Sequence, residues 1–246
     1  VANYWKFFDG ETKQLVKYNT IAQKQKDEAA FEAWAKGKPE YDNLFASIKT
    51  AYDNWRPYAK HRVYIAEGIM GSPLMAFAAT LKALDVAMAD KNITPENLNK
   101  AIAAAKTAQD RFVKSENIVS DRNILGIVTK LFYTDIDASQ RPQAFYAALK
   151  NNYGALEKDE TYEKFAKDVF ANTMILNKEK WDAFIAKPDT ASLHKDAAYK
   201  TATDFLDNFN NNYGKYFTEF TGTTSALNKK YLKGVLEMKK GQAMYP

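Results

Sequence analysis

The sequence predicts an all-α fold, a multi-helix, bundle-like domain with no substantial β-sheet, and three observations carry that reading. Apolar residues recur at three- and four-residue spacing through most of the 246 residues, which is the repeat of a single helix face. Helix-start grammar appears twice, as Ser72-Pro73 and Thr94-Pro95, a hydroxyl cap before a proline whose missing N–H has no helical partner to lose. Few segments alternate with period two for long enough to propose a strand.

The elements follow in order. Asn3-Tyr4-Trp5-Lys6-Phe7-Phe8 reads as a helical turn whose rings pack on later helices or on a missing partner domain, with Asp9-Gly10 as a break. A helix from Glu11 to about Lys36 carries Leu15, Tyr18, Ile21, Ala22, Phe31 and Trp34, then meets the stop signal Gly37-Lys38-Pro39. The pattern resumes at Glu40 with Tyr41, Leu44, Phe45, Ile48, Tyr52 and Trp55. Pro57 should kink or divide it, because proline removes a donor and clashes with the preceding turn. Tyr58 to Ile69 continues, and Gly71-Ser72-Pro73 closes one helix and caps the next.

Thr94 opens a helix with Leu98, Ala101, Ile102, Ala105, Ala108 and Phe112 on one face, where the small alanines let a neighbour approach closely. Asn92-Ile93-Thr94 also fits an N-glycosylation pattern, but a helix start is sufficient to explain it. Further helices are expected over Asp121 to Tyr133, Arg141 to Tyr153, Asp159 to Asn172, Lys178 to Ala186, Ala191 to Tyr213 and Thr223 to Lys240. The short loops suit antiparallel neighbours in a bundle, and no solenoid repeat of about 33–47 residues is present.

Hydrophobic residues at 46% and aromatics at 14% exceed what a disordered chain carries, so a packed core is expected despite 26% charged residues. One domain over residues 1–246 is the expectation. The net charge of +5 could suggest an anionic partner, but acids and bases alternate at short intervals, as in Lys24-Gln25-Lys26-Asp27-Glu28. That pattern is a solvated helix face with local ion pairs, and no nucleic-acid partner is expected. Lys229, Lys230, Lys233, Lys239 and Lys240 cluster in the last helix, where cations oppose the helix dipole.

Several chemistries are excluded or disfavoured. With no cysteine, thiolate nucleophiles, disulfides and cysteine-based zinc sites are out. No apolar run approaches the roughly 20 residues of a membrane span. His61 and His194 lack the His-Glu-x-x-His spacing that puts two imidazoles on one helix face, so no metal is expected and both read as surface or helix-packing residues. Scattered glycines form no phosphate loop, and no cofactor is expected. Gly71-Ser72-Pro73 superficially matches the end of a nucleophile motif, yet between two helices Ser72 reads as a cap. Asp135 and Asp137, beside Thr134 and Ser139, read as a loop and cap.

The opening through Lys26, including Glu11-Thr12-Lys13-Gln14-Leu15-Val16-Lys17-Tyr18-Asn19, the weaker Arg122 to Tyr133 stretch and the closing Met244-Tyr245-Pro246 resemble one family. It is the helical domain of the bacterial serine dipeptidyl-peptidases of types 7 and 11, in peptidase family S46. The resemblance implies a chymotrypsin-like double barrel interrupted by an all-helical insertion that caps the active-site cleft, of which this chain would be the greater part. An opening without Met and the abrupt end at Pro246 agree with a piece of a larger protein.

By that resemblance the parent removes dipeptides from free peptide N-termini, and Asn3, in its Asn-aromatic-aromatic-Lys context, helps hold the substrate α-amino group. The catalytic Ser, His and Asp fall in flanking barrel segments that no residue here matches, so this chain alone would be inactive. The implied partners are those barrel segments and peptide substrates, with a homodimeric parent allowed, and the implied location is the periplasm or cell surface. A non-catalytic secreted helical binding or adaptor module is the alternative. The capping reading expects exposed aromatic surface and neighbouring chain ends; the alternative expects a self-contained surface, a preformed groove and ends that need not meet.

Overall fold

The computed structural model describes residues 2–240, with side chains from Lys6 onward. The helices are α1 (Ala2–Lys17), α2 (Thr20–Ala35), α3 (Leu44–Val63), α4 (Pro73–Thr80), α5 (Lys82–Ala89), α6 (Pro95–Ser115) and α7 (Ile118–Asp135). They continue as α8 (Gln143–Tyr153), α9 (Asp159–Asn172), α10 (Lys178–Ala186), α11 (Thr190–Lys195), α12 (Ala197–Asn212) and α13 (Gly214–Met238). No strand occurs among the described residues, and the all-α class read from the sequence is borne out.

The described chain forms two compact units, residues 2–55 with 218–240, and residues 56–217. In the first, Phe31, Ala35, Tyr41 and Leu44 make a buried cluster flanked by Trp34, Phe45, Tyr231 and Val235. Phe31 lies edge-on to Tyr41 at 5.7 Å and to Tyr231 at 4.9 Å between centroids, an arrangement that aligns ring edges with ring faces. Gly234 lets α13 reach this cluster, because a Cβ there would stand 2.6 Å from the Phe31 ring. Lys233 crosses to Glu40 at 2.7 Å.

The second unit packs α7 against α9 and α12 against α4. Leu74, Leu125, Phe132, Ile175, Ala202 and Phe205 are fully buried there. Gly126 permits the α7 to α9 approach, since its missing Cβ would lie 3.2 Å from the Tyr162 carbonyl oxygen. Both proline-led starts read from sequence are in place: Ser72 Oγ accepts from Met75 N–H at 3.4 Å and Thr94 Oγ1 from Asn97 N–H at 3.3 Å. On α6, Ala105 is buried, and Phe112 stacks on Phe77 of α4 at 5.0 Å.

Five boundaries differ from expectation. Asp9-Gly10 is no break, and α1 runs through it. A helical glycine costs only about 1 kcal/mol, and the Asp9 carboxylate holds Lys13 one turn on at 2.6 Å. The interruption comes at Asn19, with φ of 50°, a left-handed conformation that asparagine tolerates. Pro57 does not divide α3; the chain departs from α geometry only after Val63, in a π-helical turn over Tyr64–Gly68. The 191–213 helix is two helices, because Asp196 stops α11 and caps α12. Residues 214–222, left out of the expected last helix, belong to α13.

Candidate functional site

The residue singled out for substrate binding, Asn3, falls in the backbone of α1, while its side chain and those of Tyr4 and Trp5 lie outside the described residues. So do Val1 and the closing segment from Gly241 to Pro246. What α1 does show is a helix with apolar groups turned to solvent. Phe7 is 58% exposed, Tyr18 65% and Ile21, at the start of α2, 67%. Phe7, Glu11, Leu15 and Tyr18 follow helical spacing, so they share a face. Phe7 meets Phe8 edge-on at 5.7 Å, and Lys6, Phe8, Asp9 and Thr12 border an open depression of about 480 Å³.

Elsewhere the second unit gathers three titratable clusters. Burial places Asp85 of α5 under α11 and α12, where its Oδ1 takes His194 Nε2 at 2.8 Å and its Oδ2 takes the Tyr199 hydroxyl at 2.7 Å. A carboxylate can only accept, so His194 donates to it through Nε2–H. Burial, and then the bond to Asp85, push the Tyr199 phenol up. Asp85 occupies Nε2, the nitrogen that a serine triad leaves for its nucleophile, and it is the hydrogen-bond partner of His194 among the described residues. It ties α5, α11 and α12 together.

His61 is fully buried, with Phe132, Phe209 and Tyr213 rings at 5.1–5.2 Å. Burial pulls its pKa down to about 4, so it is a neutral aromatic packing group. His194 keeps an exposed side chain, and the expectation that the two histidines are packing or surface residues is met. The Asp135 carboxylate accepts from the Tyr64 hydroxyl, and Asp137 accepts from the Ser139 N–H at 2.8 Å, the cap its sequence suggested. Hydrogen bonds to these carboxylates hold both below the usual range.

The third cluster is Glu116 and Asp121, at the junction of α6 and α7. Asp121 Oδ2 accepts from the Leu74 N–H at 2.7 Å. Its Oδ1 and Glu116 Oε1 are buried without a hydrogen-bond donor among the described residues. This pair and the Asp85 cluster were missed in the sequence. The one available signal was an acid in an apolar run, as in Lys82-Ala83-Leu84-Asp85-Val86.

A groove of about 770 Å³ runs between α7 and α9, lined by Arg122, Ile127, Lys130, Leu131, Tyr162 and Lys167 among others. Part of the Arg122 to Tyr133 stretch forms its α7 wall. No group of three or more histidines and carboxylates able to hold a metal ion occurs among the described residues. No single helix among them is long and apolar enough to cross a membrane.

The fold matches about a third of a longer solved chain. It resembles Porphyromonas endodontalis DPP11 in complex with the dipeptide Arg-Glu, with a TM-score of 0.66 at 19% identity over 93% of this chain and 32% of that one. An alternate conformation of the same protein gives 0.62 at 19% identity over 90% and 32%. The match to the Peptidase S46 family extends over residues 1–246, and the chain belongs to that family.

Among its relatives is an Asp/Glu-specific dipeptidyl-peptidase of Flavobacterium psychrophilum, 28% identical over all of this chain and 34% of the relative. Another is dipeptidyl-peptidase 7 of Phocaeicola vulgatus, 26% identical over 96% and 32%. The chain thus spans about a third of the length of the curated relatives it matches.

Proposed function

We propose that this chain is the helical part of a serine dipeptidyl-peptidase, roofing the cleft in which dipeptides are cut from free peptide N-termini. The observation that carries the reading is a family match along the entire length of an all-helical chain that spans only a third of its relatives. The exposed apolar face of α1, with Phe7, Leu15 and Tyr18, supports it as a surface that flanking barrel segments cover. Those segments supply the Ser, His and Asp of catalysis, and the chain alone is inactive. The parent acts in the periplasm or at the cell surface.

In this reading Asn3 anchors the substrate amine. The ammonium group donates and the amide oxygen of Asn3 accepts, which fixes the chain end without neutralising its charge. Held at a set distance from the nucleophile, the amine makes the enzyme count two residues and cleave there, a positional effect of the kind that turns binding into rate. The roof also excludes blocked or internal segments, and opening it admits the peptide end.

The experiment is a comparison of this chain with its full-length parent on fluorogenic dipeptide substrates, free and N-terminally blocked. Cleavage by the parent alone, and of free substrates alone, is the expected result. A parent that cleaves blocked substrates equally well contradicts the amine-anchoring role.

A further inference from the structure

We propose that the outer face of α13 docks on an anionic lipid surface, with Leu232 and Leu236 reaching below the headgroups and Lys229, Lys239 and Lys240 among them. The inference stands apart from the peptidase reading and rests on where charge and exposed apolar side chains meet.

Residues 229–240 hold five lysines and one glutamate, a net +4 of the chain's +5. The dipole of α13 does not account for them. It acts within the last turn, and that turn holds no cation; Lys229 and Lys230 lie more than a turn before it. Local ion pairs do not account for them either. Lys13, Lys100 and Lys200 each meet an acid one turn away at 2.6 Å. On this stretch of α13 Lys233 alone is paired among the described residues, with Glu40 at 2.7 Å and Glu237 at 3.9 Å, which leaves Lys229, Lys230, Lys239 and Lys240 without an acid.

The face is amphipathic as well as charged. Tyr231, Gly234 and Val235 turn inward to the Phe31 cluster, so helical spacing turns Lys229, Leu232, Leu236 and Lys240 outward together. Leu232 is 57% exposed and Leu236 48%. The phosphates of a nucleic acid would use the cations and leave the leucines in water. Protein interfaces favour aromatic residues and arginine and are depleted in lysine, and the outward face of residues 229–240 has neither an aromatic ring nor an arginine. A bilayer takes both kinds of side chain: lysine stems lie along apolar surface while their ammonium groups reach the phosphates, as in helices that lie in a membrane interface.

The test is flotation of the full-length parent with vesicles of phosphatidylcholine alone and of an equimolar mixture with phosphatidylglycerol. Wild type should float with the mixed vesicles only and be released by high salt. The variant Lys229→Gln/Lys239→Gln/Lys240→Gln should bind about a hundredfold more weakly, since each lysine near an anionic surface contributes about fivefold. Leu232→Ser/Leu236→Ser should also bind more weakly and keep its salt dependence. All five side chains are exposed, so melting temperatures should not change. A control of equal net charge, Lys106→Gln/Lys164→Gln/Lys180→Gln, alters exposed lysines outside α13 and should float like wild type. Equal losses in the two lysine variants overturn the assignment to α13. So does a leucine variant that binds as tightly as wild type. A parent that ignores the mixed vesicles overturns it too, and its retention on immobilised polyglutamate would mark the face as a site for an acidic protein instead.

Discussion

Gly234 presses its bare Cα against Phe31: a Cβ at this position would lie 2.6 Å from Cε2 and 2.7 Å from Cζ of that ring, with Tyr41 Cε1 at 2.9 Å. Both rings are buried, Phe31 to 1% and Tyr41 to 4% exposure, so neither can swing into solvent. The sequence gives α13 a glycine in its interior at a helix-propensity cost of about 1 kcal/mol, and the packing explains it. Gly234→Ala should destabilise the first unit, since overpacking of about 1–3 kcal/mol exceeds the gain in helix propensity. Urea unfolding followed by tryptophan fluorescence checks this, and an unchanged or raised midpoint contradicts it.

Asp196 makes a second packing prediction. Its buried carboxylate accepts from the Met174 N–H at 2.7 Å, the Ala198 and Tyr199 N–H groups at 3.0 Å each and the Thr173 hydroxyl at 3.0–3.1 Å. It therefore caps α12 and fastens the chain after α9. Asp196→Ala should cost about 3 kcal/mol or more, beyond a simple cap, because several buried donors lose their partner together. Asp196→Asn should cost less. Equal losses in the two variants, measured by chemical denaturation, contradict this account.

His61 sets an acid-side limit. Burial lowers its pKa from 6.5 to about 4, so the folded state binds this proton more weakly than the unfolded state. Stability from the neutral ring is fully present above 6.5 and is lost as pH falls toward about 4. His61→Phe, which keeps an aromatic ring among Phe132, Phe209 and Tyr213, should flatten the melting temperature between those limits. A variant with the same acid slope as wild type assigns the loss to other groups.

The helices were legible wherever the signal is local. Ser72 and Thr94 announce their caps because the hydroxyl, the proline and the receiving N–H lie within four residues. Asn19 and Asp196 were missed because neither break is written in apolar periodicity: one depends on a left-handed residue, the other on an aspartate cap that accepts from the Ala198 and Tyr199 N–H groups. The burial of His61 was illegible for the same reason, since a histidine on an apolar stripe does not say whether its nitrogens find partners. Asn3 was legible only through resemblance, because an asparagine near a helix start carries no chemical signature of its own.

In the proposed function, α1 delivers the group that holds a substrate amine. Its direct test is Asn3→Ala in the full-length parent, assayed for kcat/KM on free and N-blocked dipeptide substrates alongside its melting temperature. The account predicts a loss of about tenfold or more on free substrates, the effect of removing one charge-assisted hydrogen bond, with melting unchanged. Unaltered kcat/KM on free substrates would contradict it.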